Sequence, residues 1–267
     1  MDNDDELIGR ILSRREALAL LAAGAVLLPA CSSGKSSNTS AQSGTSTTLG
    51  ASPTTVPATT ATTAATATTV APVAVAAPSC IVVPELTEGP YFVDEKLNRS
   101  DIRIDPSNNS TKPGALLKVN FRVAQVGGGG ACTALTGAQV DVWHCDAGGL
   151  YSDVSANQTV GQKFLRGYQT TDANGAAGFT TVYPGAYQGR AVHIHFKIRT
   201  AQGKTFTSQL FFDDSFTNQV YASSPYKSGS RTLNSQDSIF RDSGGKLTLE
   251  VKQDAAGYAA TFAIGMA

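Results

Sequence analysis

Net charge is absent: 21 Lys and Arg residues stand against 21 Asp and Glu in 267 residues. No overall field therefore draws the protein to nucleic acid or to an anionic membrane surface. No apolar run reaches the roughly 18–20 residues that span a bilayer as a helix, which excludes a multi-pass helical membrane protein. Histidine is scarce, with three in the whole chain, and the four cysteines fall at irregular spacings that argue against a metal–thiolate site. A convincing helical period is missing from every long stretch, which leaves strands as the main building material.

Composition divides the chain into three parts. In residues 1–31, Ser13-Arg14-Arg15-Glu16-Ala17-Leu18 leads into an uncharged apolar stretch that ends at Leu28-Pro29-Ala30-Cys31, the layout of an export signal. The paired arginines resemble a twin-arginine signal. A general secretory signal is the alternative, because Ala17 replaces the usual bulky residue and Asp2, Asp4, Asp5 and Glu6 make the start acidic. Leu-Pro-Ala-Cys resembles a bacterial lipobox, so membrane contact is expected only through a lipid anchor at Cys31. The expected location is extracytoplasmic, as a cell-envelope lipoprotein or a secreted protein.

Residues 32–79 are almost only Ser, Thr, Ala, Gly, Pro and Val, with Lys35 as the one charge and no aromatic. Such a segment cannot bury enough apolar surface to fold and reads as a tether. Residues 80–267 remain, enough for one domain with its own core. Cys80, Cys132 and Cys145 lie in it. Two of them can pair in an oxidising compartment, and the sequence does not say which.

Leu117, Val119, Phe121 and Val123 alternate with Lys118, Asn120 and Arg122, the period of a strand with one buried face. The same signal recurs in Gln139 to Trp143, Gly178 to Val182, Ala191 to Ile198, Thr205 to Phe212, Leu247 to Val251 and Tyr258 to Ile264. Glycine-rich turns such as Gly127 to Gly130 and Pro184-Gly185 separate these segments. One short helix is expected over Ser215 to Tyr221, capped by Asp214 or Ser215. The fold class is all-β, an antiparallel β-sandwich with few short helices.

Two histidines form His193-Ile194-His195 inside a predicted strand, so both imidazoles leave the same face, while Val192, Ile194, Phe196 and Ile198 make the other face apolar. Such a pincer can hold Zn, Cu, Fe or Ni, or can be a packed histidine pair. Asp and Glu are nearly missing around it. Tyrosines lie nearby instead, Tyr151 after Gly148-Gly149-Leu150 and Tyr187 after Pro184-Gly185-Ala186. A hard trivalent ion stabilises phenolate and lowers its pKa far below the ordinary value near 10.

The run Gly137 to Trp143, Gly149-Leu150-Tyr151-Ser152, Phe164-Leu165-Arg166-Gly167, Thr171 to Gly175, Pro184 to Tyr187 and Arg190 to Phe196 closely resembles the intradiol ring-cleavage dioxygenases, as does Thr87-Glu88-Gly89-Pro90-Tyr91. The resemblance covers about Cys80 to the C-terminus, in order. It implies a prealbumin-like sandwich in which Tyr151, Tyr187, His193 and His195 ligate a non-haem Fe(III). Arg190 and Gln209 would stand beside the substrate. The implied reaction opens a catechol between its two hydroxyls with O₂ to a muconate-type diacid, with Tyr187 as the ligand that gives way and takes a catechol proton.

Two features depart from the family pattern. The stretch from Tyr187 to His193 is short, which implies a less enclosed pocket open to bulkier catechols, and no helical dimerisation domain precedes the fold. His144, Cys145, Tyr168 and Tyr183 fall outside the ligand positions and are expected to pack. The rival readings are a non-catalytic surface-displayed β-sandwich that binds a partner, and Cu or Zn in the same cage.

Overall fold

The alternating segments become strands, and their pairing over long sequence separations makes two sheets. The structure is a computed structural model, and its described residues are 81–227 and 229–267. The expected signal (1–31), the tether (32–79) and Cys80 lie outside them. A small ribbon of β1 (Ile104–Asp105) and β2 (Ser110–Thr111) comes first. It is followed by β3 (Leu116–Val126), β4 (Cys132–Ala134), β5 (Gln139–Trp143), β6 (Arg166–Thr170) and β7 (Ala176–Val182). Next come β8 (His193–Arg199) and β9 (Thr205–Phe212), then the helices α1 (Asp214–Tyr221) and α2 (Ser238–Asp242). The chain closes with β10 (Thr248–Leu249), β11 (Lys252–Asp254) and β12 (Gly257–Met266).

One sheet runs β10-β9-β8-β5-β6. The other is built on β3, which takes β12 along one edge; β7 and β4 share its other edge, at Leu116–Arg122 and Ala124–Val126 respectively. Most neighbours are antiparallel, as the alternation predicts, whereas β12 lies parallel to β3 and β10 parallel to β9. The expected strand at Leu247 to Val251 shrinks to two residues. The cap of α1 is Asp213, one residue before the expected position, with its carboxylate accepting from Phe216 N at 2.9 Å.

The sandwich closes on Phe196 of β8, whose ring centroid lies 5.3 Å from Phe121 of β3 and 5.9 Å from Phe262 of β12. Ile194, Phe196 and Ile198 are all buried, and each such side chain contributes about 1.5–3 kcal/mol by leaving water. The strand that carries the histidine pair is thus held by its apolar face against the second sheet. Its polar face is turned outward, under a cover made by residues 87–92.

Candidate metal and substrate site

On the outer face of the first sheet, His193 stands opposite Phe211, while His195 stands between Gln209 and Trp143. Both histidines are buried, and their Nε2 atoms are 3.0 Å apart. The Trp143 indole lies flat on the His195 ring, with centroids 5.0 Å apart and planes 9° apart, and so fixes its orientation. His193 Nδ1 is 2.6 Å from the Ala191 carbonyl, which can only accept. That nitrogen therefore carries the proton, and Nε2 keeps its lone pair for the cage. Burial, then the Arg190 charge and His195, hold the His193 pKa well below its ordinary value, so the imidazole is neutral and able to ligate.

Two glycine turns bring the phenols to this pair. Gly149 has φ of 86°, and a Cβ there would run into the Ala186 carbonyl oxygen, so only glycine lets the Tyr151 turn press on the Tyr187 turn. Gly185 N donates to Asp146 O at 3.1 Å and ties the same two loops together. Asn157 Oδ1 accepts from Tyr151 N at 2.8 Å. The outcome is that Tyr187 Oη lies 3.2 Å and Tyr151 Oη 3.4 Å from His193 Nε2. Tyr151 is 1% exposed, whereas Tyr187 is half-buried and lines a groove of about 410 Å³ with Gln188, Arg231 and Gln236.

Arg190 and Gln209, the other two residues singled out from the sequence, adjoin the same cluster. The Arg190 guanidinium is buried; Nη2 donates to Gln209 Oε1, and Nη1 lies 3.5 Å from both Tyr187 Oη and His193 Nε2. Gln209 Nε2 donates in turn to the Thr87 carbonyl at 2.9 Å. The N-terminal motif covers the site: Tyr91 stacks on Tyr151 at 4.5 Å, Phe92 packs edgewise on Trp143, and Glu88 pairs with Lys197. Arg166 locks this cover by donating to Tyr91 O at 2.6 Å and to Ser152 Oγ at 2.8 Å, and burial pulls its pKa down to about 10.

Sequence reasoning missed two members. In the sequence Tyr91 stands out only as part of the Thr87-to-Tyr91 motif, and its role as a wall on Tyr151 depends on Arg166 folding the segment back. Asp237, whose Oδ2 lies 3.0 Å from Arg190 Nε with both side chains fully buried, is a carboxylate brought in from a distant part of the chain. The one local signal at Asp237 is that of a helix cap, which it also is.

Three of the four residues outside the ligand positions, His144, Cys145 and Tyr183, are packed in the interior. His144 Nδ1 donates to Cys145 O at 2.8 Å and Nε2 lies 2.6 Å from Thr181 Oγ1, so both nitrogens are used away from the cage. Tyr183 is buried with its hydroxyl 2.7 Å from Thr217 Oγ1, and Tyr168 lies on β6. Cys145 is free, its thiol pushed up by burial, while Cys132 is disulfide-bonded.

Burial also lowers the His144 pKa from 6.5 to about 4. Between those values the unfolded state binds more protons, so stability falls as pH drops through the window, by about 3 kcal/mol at its foot. His144→Gln is expected to flatten the pH dependence of the urea midpoint between pH 7 and 4. An unchanged slope would assign the effect elsewhere.

Among the described residues, no three His, Cys, Asp or Glu side chains form a metal-holding group, so any cage here must use the tyrosines. Donors held about 2.0–2.1 Å from one first-row ion, at angles from 90° to tetrahedral, lie about 2.8–3.4 Å from each other. The 3.0, 3.2 and 3.4 Å separations around His193 Nε2 match that range. Two imidazoles with two phenol oxygens fit a first-row ion, and the oxygens favour a hard one.

A sandwich with this tyrosine–histidine cluster on one sheet face defines the class as a dioxygenase-type β-sandwich. Residues 87–253 match the family model described as Dioxygenase, and the chain belongs to the intradiol ring-cleavage dioxygenases. An intradiol ring-cleavage dioxygenase from Tetranychus urticae superposes with a TM-score of 0.62 at 29% identity, covering 70% of this chain and 94% of that one. The dioxygenase domain of a dioxygenase–carbohydrate-binding fusion from Streptomyces sp. SirexAA-E gives 0.52 at 28% identity, covering 70% and 98%. Among curated proteins, chlorocatechol 1,2-dioxygenase of Pseudomonas putida is 32% identical over 97 residues, 30% of this chain and 36% of that protein. The match thus spans about a third of that relative's length.

Proposed function

We propose that the protein is a non-haem iron(III) enzyme that opens a catechol-type ring between its two hydroxyls with O₂ and releases a muconate-type diacid carrying both oxygen atoms. The observation that carries this reading is the convergence of Tyr151, Tyr187 and His195 donor atoms within 3.4 Å of His193 Nε2, in a chain of this family. Tyr151, Tyr187, His193 and His195 would hold the ion. Bound Fe(III) would supply Lewis acidity to the catecholate, so that ring carbon reacts with O₂ without an outside reductant.

The chain's own residues divide the remaining work. Tyr187 is the more accessible phenol, so it is the one that yields to substrate and takes up a catechol proton at Oη. Tyr151, sealed under Tyr91, stays in place. Arg190 Nη1, beside both Tyr187 Oη and His193 Nε2, presents a fixed cation to the electron-rich ring, and Gln209 holds that guanidinium from the other side. The groove beside Tyr187 supports the expectation of bulkier or substituted catechols, because it gives a ring substituent space next to the phenol. Export and anchoring at Cys31 belong to the same proposal and place the reaction outside the cytoplasm.

Purified protein is expected to bind iron and to show a reddish tyrosinate-to-Fe(III) absorption that shifts on anaerobic addition of catechol. Colourless protein that takes up no iron on reconstitution would sink this reading.

A further inference from the structure

We propose that Asp237 is a positioning residue that aims the Arg190 guanidinium at the metal and substrate site. The proposal rests on the functional reading above and adds to it a carboxylate that lies 47 positions beyond Arg190 in the sequence.

The guanidinium is held on two sides and faces the candidate site with the third. Nε donates to Asp237 Oδ2 at 3.0 Å, Nη2 donates to Gln209 Oε1, and Nη1 is left facing Tyr187 Oη and His193 Nε2. Neither Arg190 nor Asp237 exposes any side chain to solvent, so the carboxylate is the counter-charge that makes a buried cation tolerable there. Oδ2 also accepts from Ala191 N at 2.8 Å, the residue whose carbonyl orients His193. One oxygen thereby fixes the backbone just before the histidine strand together with the guanidinium. The other oxygen, Oδ1, accepts from Ile239 N at 2.9 Å and Phe240 N at 3.4 Å, which anchors the carboxylate to the start of α2 and keeps it from rotating away. The planar fork of arginine can meet Asp237, Gln209 and the site at once only while both anchors hold.

The competing account is that Asp237 merely caps α2. Asparagine separates the two, because it caps a helix as well as aspartate does but carries no charge. The test compares Asp237→Asn in the wild-type background and in Arg190→Gln, with three readouts: turnover, anaerobic catechol affinity, and the thermal midpoint of the metal-free protein.

Asp237→Asn is expected to lower kcat about tenfold or more in the wild-type background while catechol affinity stays within about threefold, and to change Arg190→Gln by no more than about twofold. The fall in thermal midpoint is expected to shrink in the same way, since the double variant buries no lone charge. If Asp237→Asn alone does not fold, the double variant against Arg190→Gln still decides: equal turnover supports the proposal and a further tenfold loss overturns it. Equal losses in both backgrounds overturn it as well and leave Asp237 a cap. Absence of turnover in the wild type removes the functional reading and the proposal together, whereas wild-type turnover with uncoupled losses removes the proposal alone.

Discussion

His193→Ala is expected to release the metal from the proposed ferric centre and to cut ring cleavage by about a thousandfold or more. His193 Nε2 is the atom that the other three donors share, at 3.0 Å from His195 Nε2 and at 3.2 and 3.4 Å from the two phenol oxygens. Without it, one imidazole remains on the strand, with two phenols on loops. Lewis-acid activation is worth several kcal/mol, and each 1.36 kcal/mol is a factor of ten, which gives the three decades. Iron content and the visible band of the variant, compared with its circular dichroism, check the result. A variant that folds, retains stoichiometric iron and turns over normally would remove His193 from the centre.

The alternation along β3, β5, β8 and β9 made the sandwich legible, because a strand with one buried face writes its period into local sequence. The same local rule placed the two imidazoles on one side of β8, and the structure puts them there with Ile194, Phe196 and Ile198 in the core behind them. Pairing direction was not legible. The parallel match of β12 to β3 is set by which edge of the second sheet is free, a property of the whole topology. Short elements such as β4, β6 and α2 were missed because their few residues carry no clear apolar period.

Within the site, residues on strands and glycine turns were readable, whereas residues recruited by folding back were not. Gly149 signals a turn by itself, but that the turn must fit against Ala186 depends on a loop 37 positions further on. Asp237 offers the extreme case. Around His193-Ile194-His195 the sequence shows almost no acid, and the buried carboxylate that balances Arg190 arrives from the start of a five-residue helix.

Arg190→Ala is expected to leave iron colour and catechol binding nearly intact while turnover falls about a hundredfold, the usual scale for losing one preorganised charge or donor at a developing charge. The four candidate ligands do not include Arg190, so its removal spares the cage. What disappears is the cation 3.5 Å from Tyr187 Oη and His193 Nε2, where the proposed reaction would shift negative charge onto ring carbon. The variant also leaves the Asp237 carboxylate buried without its counter-charge, so a lower thermal midpoint is expected alongside. Arg190→Lys separates charge from geometry. Its ammonium can neutralise Asp237 and recover part of the midpoint, but one nitrogen cannot reach Asp237, Gln209 and the cage together. Turnover of the lysine variant is therefore expected to stay within about tenfold of the alanine variant. Wild-type turnover in either would show that Arg190 acts on folding and not on the reaction.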